Sequence, residues 1–379
     1  MSYYGQTTAN SSLMVQSIEQ LVYMLANHNR PFLARYMNAE GPSGTKADPA
    51  VKNVKHEWNE KKLKSNRDNV LTAIDNSATT LYTSNQYARY IDGQSIIQVD
   101  DEYMTVTTAV WGSSKWTLTV VRGFDTSSGG AHSVGAQINI INPGTEGADA
   151  TRSDADFGVQ GYNYTQIFQR ELALSGTAQA VTTYGNELKL ETHAAELFPE
   201  MLQELENALV SGIRYQSGAK RIMGGMYYFC SNGGVNQDSK GNQLDLRTID
   251  NDIAQLVRNG VDPTKLDFAC GTAVRQSISD LKAFKTQDPS SQKGIDYNAD
   301  FIVTPQGYRL EIPPTAAVFN PNEYFIYPKD SIKVKHLRPL ATKDLGATGD
   351  ADKKLLVMES TAEFPGWALG AALRRKNIG

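Results

Sequence analysis

From Glu102 to Gly123 every second position falls on one face: Met104, Val106, Thr108 and Val110, then Trp116, Leu118 and Val120, with Gly112 to Ser114 between the two sets. That alternation around a turn predicts a β-hairpin. With GQSIIQV before it and GAQINIINP after it, the stretch from Ser77 to Pro143 reads as a small twisted sheet or barrel of about five strands. Asn186 to Arg214 has a different period. Leu190, Ala194, Leu197, Met201, Leu205, Ala208 and Leu209 recur at helical spacing and form one packing stripe. Glutamates crowd its first half while Arg214, Lys220 and Arg221 follow its end, a polarity that complements the helix dipole. Pro199 lies inside the stripe, so the helix either kinks there or restarts with Pro199 in its first turn.

The flanking regions are less regular. Ile18, Leu21, Val22, Met24 and Leu25 suggest a short helix broken at Asn27 to Pro31, and Gly41 to Lys52 reads as a connector. Beyond MGGMYYFCSNGG, Thr248 caps a helix running to Asn259 and closed by Gly260. KLDFACG is a buried strand, and Thr272 caps a further helix to Phe284. The last hundred or so residues return to extended, proline-punctuated segments such as FIVTP, YRLEIPP and KKLLVMESTAEF. The alternation of helix and strand beyond MGGMYYFCSNGG makes this part an α+β or α/β domain.

Composition then removes several functions. In 379 residues, 40% hydrophobic and 21% charged, there is material for a sizeable core in two or three domains. A net charge of −4 argues against a dedicated nucleic-acid binder. No apolar run approaches a membrane span, and the N-terminus lacks the pattern of a signal peptide. Cys230 and Cys270 are expected as buried, inert thiols rather than a disulfide framework.

No catalytic constellation emerges. The five histidines are scattered without i,i+4 pairing, and His193 with Glu191 and Glu196 reads as a solvated face rather than a metal site. Asp154 and Asp156 begin something like a calcium loop, but Thr165 stands where its bidentate glutamate belongs. Ser133 lacks a G-x-S-x-G setting, and no glycine cluster precedes the Lys-Ser/Thr of a phosphate loop. No enzyme activity and no cofactor are expected.

Four stretches in order carry a family likeness: NHNRPFLARYM with KHEWNEKKL, YTQIFQRELALSGTAQAVTTYG, ENALVSGIR with MGG, and KHLRPLATKDLGATGDADKKLLVMESTAEFPGWALG. Together they resemble the major capsid proteins of tailed bacteriophages, of the Hong Kong phage-type fold, in the subfamily long described as a domain of unknown function. The resemblance implies an N-arm over 1–52 and E-loop arms over 53–76 and 144–180. It further implies a β-rich insertion over 77–143, a peripheral domain over 181–226 and 323–379 with a long spine helix, and an axial domain over 227–322. The spine helix would pack through Leu190, Leu197, Met201, Leu205 and Leu209.

The implied function is self-assembly, as pentamers and hexamers, into an icosahedral virion shell that encloses double-stranded DNA without binding it specifically. Scaffolding, portal and decoration proteins are the implied further partners, and assembly is expected in the host bacterial cytoplasm, with no membrane involved. The alternatives are another phage structural component, such as a decoration or adaptor protein, or a β-rich adhesin. On the E-loop, His56, Trp58, Leu63, Gln166, Ile167 and Phe168 are expected at a subunit interface, where a large aromatic framed by charges suits an anchor with a polar rim. Trp58 can equally pack inside its own subunit near Ile167 and Phe168. Arg374, Arg375 and Lys376 read as a solvated end or as a cluster facing phosphate.

Overall fold

The computed structural model describes residues 31–36, 51–61, 66–83, 91, 93–112, 114–141, 158–180, 190–280, 301–313 and 319–379. The chain divides into two units, Met1–Trp58 with Tyr162–Ile253 and Pro263–Gly379, and Asn59–Gly161 with Ala254–Asp262. Helix and strand mix in irregular order, so the class is α+β.

In the smaller unit the alternation read from the sequence becomes an antiparallel sheet. Glu102–Trp111 pairs with Trp116–Val121 across a turn closed by Gly112 N–H donating to the Lys115 carbonyl. Ile96–Val99 lies on the other side of Glu102–Trp111, followed by Gln137–Ile141. The outermost strands are Arg67–Asn69 and Thr80–Thr83, giving six in all. The sheet therefore begins before the predicted start at Ser77, because Arg67–Asn69 supplies an edge strand.

A bridge between Val70 and Thr83 joins the two edges, and Thr83 Oγ1 donates to the buried Asp68 across that seam. The sheet thus closes into a barrel, which leaves no free edge to pair with another chain. Leu81, Ile97, Val99, Met104, Val106, Leu118, Val120, Ile138 and Ile140 fill its interior. One end is held by charge. Arg122 Nε and Nη2 donate to the two carboxylate oxygens of buried Glu102 at 2.7 and 2.6 Å, while His132 places one ring nitrogen 2.9 Å from Glu102 and the other 2.7 Å from Asp100. Burial opposes ionisation of Glu102, but hydrogen bonds from Arg122, Gly130 N–H, His132 and Gly123 N–H outweigh it and hold its pKa down to about 2.

The larger unit carries two main sheets. The first runs Val235–Asp238, Leu373–Lys376, Tyr324–Pro328, Leu266–Cys270, Arg309–Glu311 and Phe301–Val303. Leu266–Cys270 is buried throughout, as KLDFACG suggested, and lies inside this mixed sheet. Helices Leu246–Arg258 and Thr272–Asp280 form where two were expected, but Thr248 lies inside the first rather than capping it and Thr272 is the first helical residue of the second; Gly260 is in the left-handed region at φ +88°. Residues 281–284 of the second prediction lie outside the described residues.

Cys230 and Cys270 are both buried, and burial pushes each thiol up to about 12. The basic cluster at Arg374 to Lys376 is neither a solvated tail nor free for phosphate, because it lies in a strand whose cations have partners. Arg374 pairs with Glu323, Arg375 with the buried Asp252, and Lys376 Nζ is 3.8 Å from Asp238.

The second sheet has three antiparallel strands, Lys333–Thr348, Ala351–Glu363 and Gln166–Ser175. A 22-residue helix, Leu190–Ser211, packs on one face of it. Pro199 interrupts the hydrogen-bonding without ending the helix, so no second helix begins there; its missing N–H costs only the bond to the Ala195 carbonyl. Helix Met226–Asn232 packs against the far end. The approach is close because Gly212 and Gly225 lack side chains: a Cβ on Gly212 would sit 2.2 Å from the Met223 carbonyl oxygen, and one on Gly225 2.6 Å from that of Ala208. Gly225 N–H donates to the Gly212 carbonyl at 2.8 Å.

The N-terminal segment also contributes. Helix Pro31–Tyr36 buries Phe32 and Leu33 in the same core, so this part of the predicted arm is packed on its own subunit. The Ile18 to Leu25 stripe lies outside the described residues.

Candidate assembly site

KHEWNEKKL enters as strand Lys55–Glu60, paired with Val159–Tyr164 in a two-stranded ladder. Its side chains alternate: Lys55, Glu57 and Asn59 are exposed, while His56 and Trp58 turn inward. Trp58 is half-buried, with its ring centroid 6.0 Å from Phe229. Phe229 stacks on Phe364 at 4.7 Å, Phe364 meets Trp367 edge-on at 5.1 Å, and Trp367 lies 5.6 Å from Tyr327. Trp58 is thus the outer member of an aromatic chain running into its own subunit's core. That answers what a tryptophan among charges packs against within one chain.

His56 Nε2 is ion-paired with Glu363, which also meets Lys335 Nζ at 2.6 Å. Burial opposes ionisation of Glu363, yet His56 and Lys335 hold its carboxyl below the usual range. The base of the ladder is fixed from the other side. Arg214 lies over the Tyr162 ring at 3.9 Å and donates from Nη1 to the Tyr162 carbonyl at 3.0 Å. Buried Asn163 donates to the carbonyls of Gly224 and Ala362 at 3.0 and 2.8 Å, and its Oδ1 accepts from Gly224 N–H at 2.8 Å.

The return strand starts from a second buried carboxylate. Glu359 accepts from Thr165 Oγ1 at 2.7 Å, from Arg221 Nη2 at 2.9 Å and from Arg338 Nε at 2.9 Å. Burial opposes its ionisation and these donors overcome that, so its carboxyl titrates low. Gln166 Oε1 accepts from Met223 N–H at 3.1 Å, and Phe168 is buried in the main core. Ile167 points to the opposite face of the three-stranded sheet and is 40% exposed.

The sequence-predicted residues therefore separate. His56, Trp58, Gln166 and Phe168 are brought to one region of their own subunit, Ile167 stays on the surface, and Leu63 lies outside the described residues. On the long helix Met201, Leu205 and Leu209 are fully buried and Leu197 packs partly against the core. Leu190 begins the helix, but its side chain lies outside the described residues. Sequence reasoning missed Asn163, Arg214, Arg221, Glu359 and Glu363. Their partners are too distant along the chain for any spacing rule to connect.

Among the described residues no group of three His, Cys, Asp or Glu side chains could hold a metal, and no helix is long and apolar enough to cross a membrane. What remains is a scaffold in which a paired strand is clamped at its base by buried ions and stacked rings.

Comparison with known proteins supplies the role of this scaffold: the protein is a bacteriophage major capsid protein, located in the virion shell that its copies build. A family model described as SU10 major capsid protein matches residues 2–368, so the chain belongs to that family. No curated protein matches.

Among solved structures, the capsid asymmetric unit of cyanophage A-1(L) aligns with a TM-score of 0.49 and 8% identity over 63% of this chain and 85% of that one. The mature capsid of bacteriophage PhiM1 aligns at 0.42 and 11% over 62% and 78%. The virus-like particle of Pyrococcus furiosus aligns at 0.36 and 11% over 76% and 87%. Likenesses this distant transfer no residue-level detail.

Proposed function

We propose that the chain assembles as pentamers and hexamers into an icosahedral shell around the double-stranded DNA of a tailed phage. The observation that carries this reading is the match to a major capsid protein family over residues 2–368. In this reading 1–52 is the N-arm, 53–76 and 144–180 are the arms of the E-loop, and 77–143 is an insertion between them. Residues 181–226 and 323–379 make the peripheral domain and 227–322 the axial domain.

The long helix lying on the sheet of Lys333–Thr348, Ala351–Glu363 and Gln166–Ser175 supports the peripheral assignment. His56, Trp58, Leu63, Gln166 and Ile167 would lie where one subunit meets the next, with Ile167 the most exposed of those described, whereas Phe168 is buried in its own subunit's core. The role is structural and no catalytic step is proposed. DNA would be enclosed rather than gripped, consistent with a net charge of −4. Assembly would take place in the host cytoplasm, and scaffolding, portal and decoration proteins would be the further partners.

Sedimentation velocity of the purified chain over a wide concentration range tests this, with candidate scaffold and without it. Capsomers and closed shells are the expected species. Monomer alone under every condition would contradict the reading.

A further inference from the structure

A carboxylate faces each nitrogen of the buried His132 ring, Asp100 at 2.7 Å from Nδ1 and Glu102 at 2.9 Å from Nε2. Glu102 also accepts from Arg122 Nε and Nη2 and from the Gly123 and Gly130 N–H groups, all of which favour its ionised form. An ionised carboxylate only accepts hydrogen bonds, so two of them on one ring call for a proton on both nitrogens. The geometry is that of an imidazolium.

The charges around the ring balance only in that state. Asp100 and Glu102 stand against Arg122 and a cationic His132; with one proton fewer, a single guanidinium faces two carboxylates in a largely buried cluster. Asp75 does not relieve this. Its carboxylate is occupied by the Ser77 and Ala78 N–H groups, and its carbonyl accepts from Arg122 Nη1 at 2.8 Å.

The ring also lies where three segments of the barrel meet. Its own loop, residues 123–135, is bridged to Ile74 by two backbone hydrogen bonds, and Gly130 N–H donates to Glu102 at 2.9 Å. Asp100, in the turn before Glu102, adopts the left-handed region at φ +51° with its side chain reaching the ring. The two carboxylates differ in their alternatives. Glu102 is 2% exposed, whereas the Asp100 side chain is 59% exposed and can turn to water. A lost proton therefore leaves from Nδ1, whose lone pair would then repel Asp100, while Nε2–H stays on Glu102.

We infer that His132 is a proton-operated latch on this end of the barrel. With both nitrogens protonated it ties the Asp100 turn to loop 123–135; with Nδ1 deprotonated it releases the turn, and the loop loosens. The closed form holds a proton that the open form gives up, so low pH favours closure and rising pH opens the latch. This concerns a single chain and stands apart from the capsid reading.

The test uses the full, unassembled chain. Hydrogen exchange of the amides in loop 123–135 is measured at about pH 6 and about pH 9 and corrected for the pH dependence of intrinsic exchange. Protection in the loop should fall about tenfold at the higher pH, while that of strand Trp116–Val121 stays constant. Asp100→Asn should abolish the difference, because an amide can offer its oxygen to a charged ring or its NH2 to a neutral one, and asparagine tolerates the left-handed backbone. In chain labelled with 15N-histidine, the ring signals that shift on Asp100→Asn should show both nitrogens protonated at the lower pH.

Wild-type loop protection that is the same at both pH values overturns the inference. So does an equal loss in Asp100→Asn, or a neutral His132 ring at the lower pH.

Discussion

The barrel and the larger unit bury their cores by different routes. In the barrel, Glu102–Trp111 pairs with the strands next to it in sequence on both sides, and the interior is aliphatic: Ile97 lies opposite Met104 on one side and Ile140 on the other, and Leu81 opposite Leu118. In the larger unit, strand Gln166–Ser175 pairs with Ala351–Glu363, and the core centres on rings from distant segments, Phe229 against Phe364 and Trp367. The barrel is thus specified locally, by a period of two and tight turns, while the larger unit depends on contacts closed over long loops. The polar groups follow the same division. Glu102, Arg122 and His132 form a local knot, whereas Glu359 and Glu363 join strands from both ends of the chain.

The largest expected effect separates the two regions. Phe364→Ala removes the ring between Phe229 and Trp367 and should cost the larger unit about 3–5 kcal/mol. The barrel should be spared. Two of the four tryptophans, Trp58 and Trp367, report on the larger unit, and Trp111 and Trp116 on the barrel. Thermal unfolding followed by fluorescence in single-tryptophan backgrounds should show the first pair's transition moving down and the second staying in place. Equal shifts in both would make the chain one cooperative body and end the comparison.

A smaller effect is expected at Trp58. Because its ring is half-buried against Phe229, Trp58→Ala should lower the stability of the unassembled chain by about 1–2 kcal/mol, less than a fully buried aromatic costs. Monomer thermal midpoint and particle yield, measured on the same variant, divide the ring's role. Unchanged stability with lost particles would put its contacts on the neighbour instead.

The smallest effect is in acid, and it belongs to the barrel. Glu102 has a folded pKa of about 2, below the roughly 4.3 of an unfolded glutamate, so its stabilisation is complete above that value and fades as pH falls through the folded pKa. Chemical unfolding followed at Trp111 and Trp116 between pH 5 and pH 2 should show the midpoint falling. Glu102→Gln should be less stable than wild type at neutral pH and should flatten this acid dependence. An unaltered slope in the variant would mean that other carboxylates govern the barrel's acid stability.

Legibility in the sequence followed the same line. The hairpin at Gly112, the helix stripe through Met201, Leu205 and Leu209, and the buried strand at Phe268 could be read from period and turn residues alone. The closing strand Arg67–Asn69 could not, because three residues are too short to show alternation. The pairing of Gln166–Ser175 with Ala351–Glu363 was equally hidden, since register between distant strands leaves no local signal.

Trp58 was legible as an anomaly, an aromatic among charges, but not as the end of an aromatic chain whose other members lie far along the sequence. Arg374 to Lys376 misled for a related reason. A terminal run of cations looks solvated until Glu323, Asp252 and Asp238 are placed beside it. What spacing could not supply came from four stretches in order, a likeness that the family match over residues 2–368 bears out.

Cryo-electron microscopy of particles formed by the purified chain tests the account most directly. It predicts icosahedral shells in which five copies surround each vertex, six surround the other centres, and the long helix Leu190–Ser211 recurs in every subunit. A monodisperse monomer, or particles whose subunits close around neither fivefold nor sixfold centres, would contradict it.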